Sequence, residues 1–283
     1  MVEVNVICPI CNKSGRITVD EDSIKKNRRG VTAINVTESL ICSHSFVSYI
    51  DKNLNVRDSF VCDFKIELPE IKQEEVDLPD QSEDVAEIKP DLILLNIKAN
   101  EIVDILNGVF MKKKILLLNE NEILYNPIIN MMKFVFQHNF DYDFSILNRQ
   151  EYIKNKKKYK DFEIIDKERN LSKRKKELKS KTIKVEGAIV KKFLLEASSY
   201  SGLLLFRNEI LKAFQMSKSI IEILKNYQKE EKISKKKLVD LLSEKYEISI
   251  QFEYLEFLLD IVKNYHGYNL SRVSDYYFPN LGL

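Results

Sequence analysis

Cys8-Pro9-Ile10-Cys11-Asn12-Lys13-Ser14-Gly15 is the stretch on which the reading of this chain turns. Two thiols with two residues between them, and Pro and Gly nearby, belong to a tight turn. At that spacing two thiolates can converge on one tetrahedral ion, and the turn's backbone N–H groups can stabilise their charge. The residues that follow alternate: Ile17 and Val19 are apolar, Arg16, Thr18 and Asp20 polar. That is the period of a half-buried strand. A redox pair would sit between a strand and a helix start in a βαβ unit, so the context favours metal over redox chemistry, and over incidental thiols.

A tetrahedral site needs two more donors. Cys42 and His44 lie about thirty residues further on. If residues 40–45 are extended, both point to one face, because strand side chains repeat every two residues. One intervening residue is tighter than the usual two to four. Cys62 is a spare candidate, although its place in an apolar row favours a core thiol. The expected ligands are therefore Cys8, Cys11, Cys42 and His44, and the expected ion is Zn2+. Four protein ligands leave no open position for water, so the expected role is structural. A small β-module also gains stability from such a staple.

Working outward, residues 1–68 read as a zinc-ribbon-like β-module. A strand is predicted over 31–36, after Gly30. Two more, over 45–50 and 55–68, flank Asp51-Lys52-Asn53-Leu54, a good hairpin turn. In the last, Val56, Phe60, Cys62, Phe64, Ile66 and Leu68 share one face.

Residues 92–170 change character. Apolar runs at 92–97 and 115–118, with 142–147 and 162–166, predict four strands. Between them lie helical patterns. Asn100 would cap 101–110, Asn126 would cap a helix with Pro127 at its first position, and Asn148 with Glu151 resembles a capping box. Alternating β and α with continuous apolar strands predicts a small, mostly parallel sheet in a central α/β domain. Residues 171–283 read as a C-terminal α-helical bundle. Helices are expected over 185–196, over 203–227 with a break near Ser217, and after caps at Ser234 and Ser249, their apolar residues striped at helical spacing. Residues 266–283 read as a docked or frayed tail. The expected class is α+β, multidomain.

The composition limits what the chain can be. Forty-five Lys+Arg against forty-three Asp+Glu give a formal charge of +2, and there are seven Gly and six Pro in 283 residues. Collagen-like and Gly/Ser-linker architectures are excluded, and phosphate-cradling glycine loops have little material. No apolar run approaches eighteen residues, so no membrane span is expected. No cationic region precedes an apolar stretch at the N-terminus, so a cytoplasmic location is expected. The near-neutral sum hides segregation. Residues 70–91 hold nine acids and two bases, a net −7, and residues 149–184 hold fifteen bases and six acids, a net +9. The acidic stretch, with Pro at 69, 79 and 90 and no aromatic residue, predicts a flexible linker over 69–91.

The basic stretch has two cation clusters. Lys154, Lys156, Lys157, Lys158 and Lys160 surround Tyr152 and Tyr159, and Lys173, Arg174, Lys175 and Lys176 form the second. Such clusters can displace counterions from a phosphate backbone, which makes nucleic acid one candidate partner. The plainer reading is a solvated face in a lysine-rich chain. An acidic protein, an acidic membrane surface or the chain's own acidic stretch would suit the same charges. No dinucleotide, P-loop, zinc-protease or serine-hydrolase motif is present, so an enzymatic or nucleotide-binding α/β domain is the weaker alternative. If one existed, Asn119, Glu120 and Asn148 would line it, at the carboxyl edge of the strands. His138 reads as a solvated or core-edge side chain, and His266 as a helix-end cation. The last two helices could form a helix-turn-helix. The second opens Ile250-Gln251-Phe252-Glu253-Tyr254, which suits packing or protein docking better than reading bases.

Gly30-Val31-Thr32, Cys42-Ser43-His44-Ser45-Phe46, Tyr49-Ile50-Asp51-Lys52-Asn53 and Val56-Arg57 together carry a resemblance. The first quarter of the chain resembles an N-terminal module of uncharacterised archaeal proteins, in which a Cys-x-x-Cys knuckle precedes a Cys-x-His-Ser-Phe strand and an Asp-Lys-Asn hairpin. The resemblance implies that Cys8, Cys11, Cys42 and His44 form one unit. The expectation for the whole chain is a non-enzymatic cytoplasmic adaptor that binds another protein, with nucleic acid as the alternative partner.

Overall fold

The computed structural model describes residues 1–27, 30–61, 66–70, 88–137, 139–166, 184–196, 198–227 and 232–275. The chain opens with an antiparallel hairpin of β1 (Val2–Ile7) and β2 (Ser14–Val19), in which Val4 faces Ile17 and Val6 faces Gly15. A short helix, α1 (Glu21–Lys26), follows. Asp20 accepts the Asp22 amide at its start, acids fill its first turn and lysines its last. Six residues are too few to show a helical period, so this helix was not legible from pattern alone.

Next comes an antiparallel meander of β3 (Val31–Val36), β4 (Phe46–Asp51) and β5 (Val56–Val61). Strand β4 is buried along its whole length. Phe46 and Ile50 join Val4, Val6, Ile17, Val19 and Ile24 in a small core. Val47 and Tyr49, on the opposite face, join Phe60 in a much larger core shared with the rest of the chain. The meander is thus a wall between two apolar layers. Beyond it, Pro69 is buried, and its carbonyl accepts a hydrogen bond from Lys212 Nζ at 2.6 Å. Most of the predicted 69–91 linker lies outside the described residues.

The apolar run at 92–97 is not a strand. It lies in helix α2 (Pro90–Asn96), with Pro90 and Asp91 in its first turn and Ile93 buried. Ile93 and Ile97, four apart, both join the large core. A six-residue apolar run carries too little period to separate helix from strand, and Pro90 was the better guide. Helix α3 (Ala99–Phe110) starts just ahead of Asn100. Its entry is closed by Glu101, whose carboxylate accepts the Lys98 amide at 2.8 Å. After β6 (Lys114–Leu118), a 3-10 turn capped by Asn121 leads into α4 (Tyr125–Phe136), so Asn126 is inside the helix and not its cap. Then follow β7 (Asp143–Leu147), α5 (Arg149–Asn155) and β8 (Phe162–Asp166). Asn148 caps α5 as expected, accepting the Glu151 amide at 2.8 Å. The sheet is parallel, with three strands and not four, in the order β7-β6-β8.

The C-terminal region is helical: α6 (Lys184–Leu195), α7 (Ser199–Asn226), α8 (Lys235–Tyr246) and α9 (Phe252–Asp260), the last continuing as a π-turn over Ile261–Tyr265. Helix α7 does not break at Ser217. That hydroxyl donates to the Phe214 carbonyl at 2.7 Å, three residues back, which satisfies it inside the helix. Ser234 caps α8 as predicted, whereas α9 begins after Gln251 and not at Ser249. Part of the tail is docked: β9 (Ile233–Ser234) pairs with β10 (Val273–Ser274). The α+β class, with a parallel sheet and a helical C-terminal region, is what the sequence predicted. Among the described residues, no helix is long and apolar enough to cross a membrane.

Candidate metal centre

The turn between β1 and β2 is closed by its own backbone. The Cys8 amide donates to the Lys13 carbonyl and the Asn12 amide to the Cys8 carbonyl, both at 2.9 Å. Asn12 takes a left-handed φ of 59°, a conformation its short polar side chain tolerates. Cys8 is buried and Cys11 exposed at the tip.

The second pair arrives by a different route from the one expected. Residues 40–45 are not extended. Cys42 and His44 lie in a bent loop between β3 and β4. The Ser39 amide donates to the Cys42 carbonyl at 2.8 Å, and the Glu38 amide to Ser45 Oγ at 3.1 Å. Ser39 stands at φ 77°, which reverses the chain. The two halves of the site meet because residue 15 is glycine: a Cβ there would lie 2.9 Å from the Ile41 side chain. The loop therefore rests directly on the hairpin backbone.

One ligand atom from each of Cys8, Cys11, Cys42 and His44 lies within 4.8 Å of the others. His44 Nδ1 is 3.8 Å from Cys8 Sγ and 3.6 Å from Cys42 Sγ. A tetrahedron with metal–sulfur bonds of about 2.3 Å and metal–nitrogen bonds of about 2.0 Å has edges of about 3.5–3.8 Å. The two His44–sulfur distances fall at that range, and the four donors are close enough together to hold one metal ion. The electrostatics agree. The Lys13 backbone N–H lowers the Cys11 thiol to about 7 against the opposing effect of burial, helped by His44 and the other two thiols. The Cys42 thiol is pushed up, by burial first and then by Cys8 and Cys11 beside it. Crowded thiols that cannot all ionise alone can do so around a divalent cation. Three thiolates and one imidazole are a donor set that transition-metal ions take. Among the described residues, this is the one group of His, Cys, Asp and Glu side chains so placed. Cys62, the spare candidate, and His138 lie outside the described residues.

The remaining candidates separate clearly. His266 does close the last helical turn, but its surroundings disfavour the cationic form there. Burial, with Lys218 and Lys112 nearby, lowers its pKa, and its Nε2 pairs with Ser217 Oγ at 2.9 Å. Helix α9 is packed, with Tyr254, Leu255, Phe257 and Leu258 all buried. At the carboxyl edge of the parallel sheet, the Arg149 amide donates to Glu120 and its guanidinium to buried Asp166 at 2.9 Å, while the Asn119 amide donates to the Leu147 carbonyl. These groups hold one another. The Arg149–Asp166 pair was not singled out in the sequence, because the two residues are adjacent only once β7 and β8 flank β6. Lys154, Lys156, Lys157, Lys158 and Lys160 line one open groove beside β8. Lys173, Arg174, Lys175 and Lys176 lie outside the described residues. Comparison of the chain with protein-family models, with curated proteins and with solved structures found no match.

Proposed function

We propose that this chain is a non-enzymatic interaction protein whose N-terminal module is held by one structural zinc ion. The observation that carries the reading is the gathering of four donor atoms, three sulfurs and one nitrogen, within 4.8 Å. Four protein donors fill a tetrahedron, so the ion would join the β1–β2 turn to the β3–β4 loop and would have no position left for a reacting water. A reducing, cytoplasmic setting belongs to the same proposal, because the thiols must stay reduced to hold the ion. The adaptor role belongs to the same proposal, since a metal site closed by four protein donors would shape its module and would not react. The test is the metal content of the full chain, purified without added metal and never exposed to chelator. One zinc per chain is expected, falling sharply in Cys42→Ser. Zinc near zero, or wild-type zinc in that variant, would overturn the reading.

A further inference from the structure

The parallel sheet uses its two faces unequally. Ile115, Leu117, Ile146 and Ile165 belong to the large core. Strand side chains alternate, and the register pairs Lys114 with Phe162 and Leu116 with Ile164, so these four share the opposite face. Helix α5 lies beside that face and has no buried residue, with Ile153 65% exposed. Between α5, the turn at 156–161 and β8 runs an open groove of about 840 Å³. Tyr152, Tyr159, Phe162 and Ile164 within it are half-buried, whereas Lys154, Lys156, Lys157, Lys158 and Lys160 are exposed. The groove thus has an aromatic and apolar floor under a cationic rim.

The rim lysines are exposed, and one of them, Lys158, lies over the Tyr159 ring at 5.6 Å from its centroid. Neighbouring ion pairs use other groups: Lys113 with Glu163, Lys114 with Asp143 and Arg149 with Asp166. The five rim lysines have no ion-pair partner among the described residues, and the acids on the same stretch, Glu151 and Asp161, are exposed. Five ammonium groups within seven residues match a regularly spaced polyanion. A duplex would need only the cations, since its bases are stacked away from the protein. Aromatic rings beneath a cationic rim suit unpaired bases, which stack on rings while lysines follow the phosphates. We propose that this groove binds single-stranded nucleic acid, independently of the metal site.

The experiment is fluorescence anisotropy of labelled oligo-dT and oligo-U with the full chain, at low salt and then at rising KCl. Binding is expected, with log K falling against log salt at about −0.7 per phosphate contact, hence near −3.5 for five lysines. The triple variant Lys156→Gln/Lys157→Gln/Lys158→Gln, at exposed positions, should bind at least tenfold more weakly and lose about 2 from that slope. Tyr159→Leu should lower affinity about fivefold or more and leave the slope unchanged, since it removes a stacking ring and no charge. Any of these results would overturn the proposal: no binding at low salt, undiminished binding by the triple variant, equal or tighter binding of duplex, or displacement of the oligonucleotide by polyglutamate at equal charge concentration. The last would make the groove a surface for acidic peptides. Lysine-dependent pelleting with anionic vesicles, without oligonucleotide binding, would make it a lipid surface and overturn it equally.

Discussion

Asp51 is almost fully buried, and both of its oxygens are engaged. Oδ1 accepts the Asn53 and Asn55 amides, each at 2.9 Å, and Oδ2 accepts Arg57 Nε at 2.6 Å. Burial alone would raise its pKa, but those donors outweigh it and hold the carboxyl below its usual range. A depressed folded pKa gives stability that is present above the unfolded value and lost as pH falls through the folded one. Asp51→Asn should therefore cost about 2 kcal/mol in urea unfolding at pH 7, and the difference from wild type should shrink in acid. A difference unchanged by pH would refute this account of the hairpin. Single residues differed in how much of this was readable. The Asp-Lys-Asn turn and the Cys8/Cys11 knuckle are local patterns, so their roles show in the sequence. Cys42 and His44 were found as residues, but the geometry that brings them in was not. It depends on Ser39 at positive φ and on Gly15 under Ile41, and neither residue advertises that contact.

Elements are fixed by their neighbours as much as by their own period. Helix α6 is docked on α3 through Glu186, whose Oε1 accepts Asn107 Nδ2 at 3.0 Å while Oε2 has no hydrogen-bond partner among the described residues. Burial, with Asp260 adding to it and Asn107 opposing, pushes the carboxyl up to about 7. The native state keeps this proton to about pH 7, and the unfolded chain releases it near its ordinary 4.5. Its favourable contribution is thus full below the unfolded value and lost as pH rises through about 7. Above that, the buried charge costs about 3 kcal/mol. Glu186→Gln should match wild type near pH 4 and be more stable at pH 8, read as denaturation midpoints. Equal midpoints at both would show that the carboxyl is not held as described. The sequence hid this site because residues 107 and 186 meet only in the folded core. It misread α2 for a related reason: buried on one side and short, its apolar run satisfies a strand pattern as well as a helical one. The long stripes of α4, α6, α7, α8 and α9 were legible because several turns repeat the same face.

At the scale of the molecule, two apolar cores share strand β4, and this sharing explains why the class was legible and the assembly was not. Period 2 in the first quarter and helical stripes in the last third give the class directly. The joint is Phe46 to Asp51, buried on both faces, where alternation carries no information about which side is inner. The formal charge of +2 was equally uninformative, since the cations that matter are gathered along one groove. In this arrangement the small core sits beyond the meander, and the Cys8, Cys11, Cys42 and His44 cluster is the clasp that closes it. In the proposed reading this clasp holds a metal ion with donors from the chain alone. The most direct measurement is X-ray absorption at the zinc edge on the full protein. Three sulfurs at about 2.3 Å and one nitrogen at about 2.0 Å, with no further oxygen, are predicted. Fewer than three sulfurs, or a bound water in the fourth position, would contradict it.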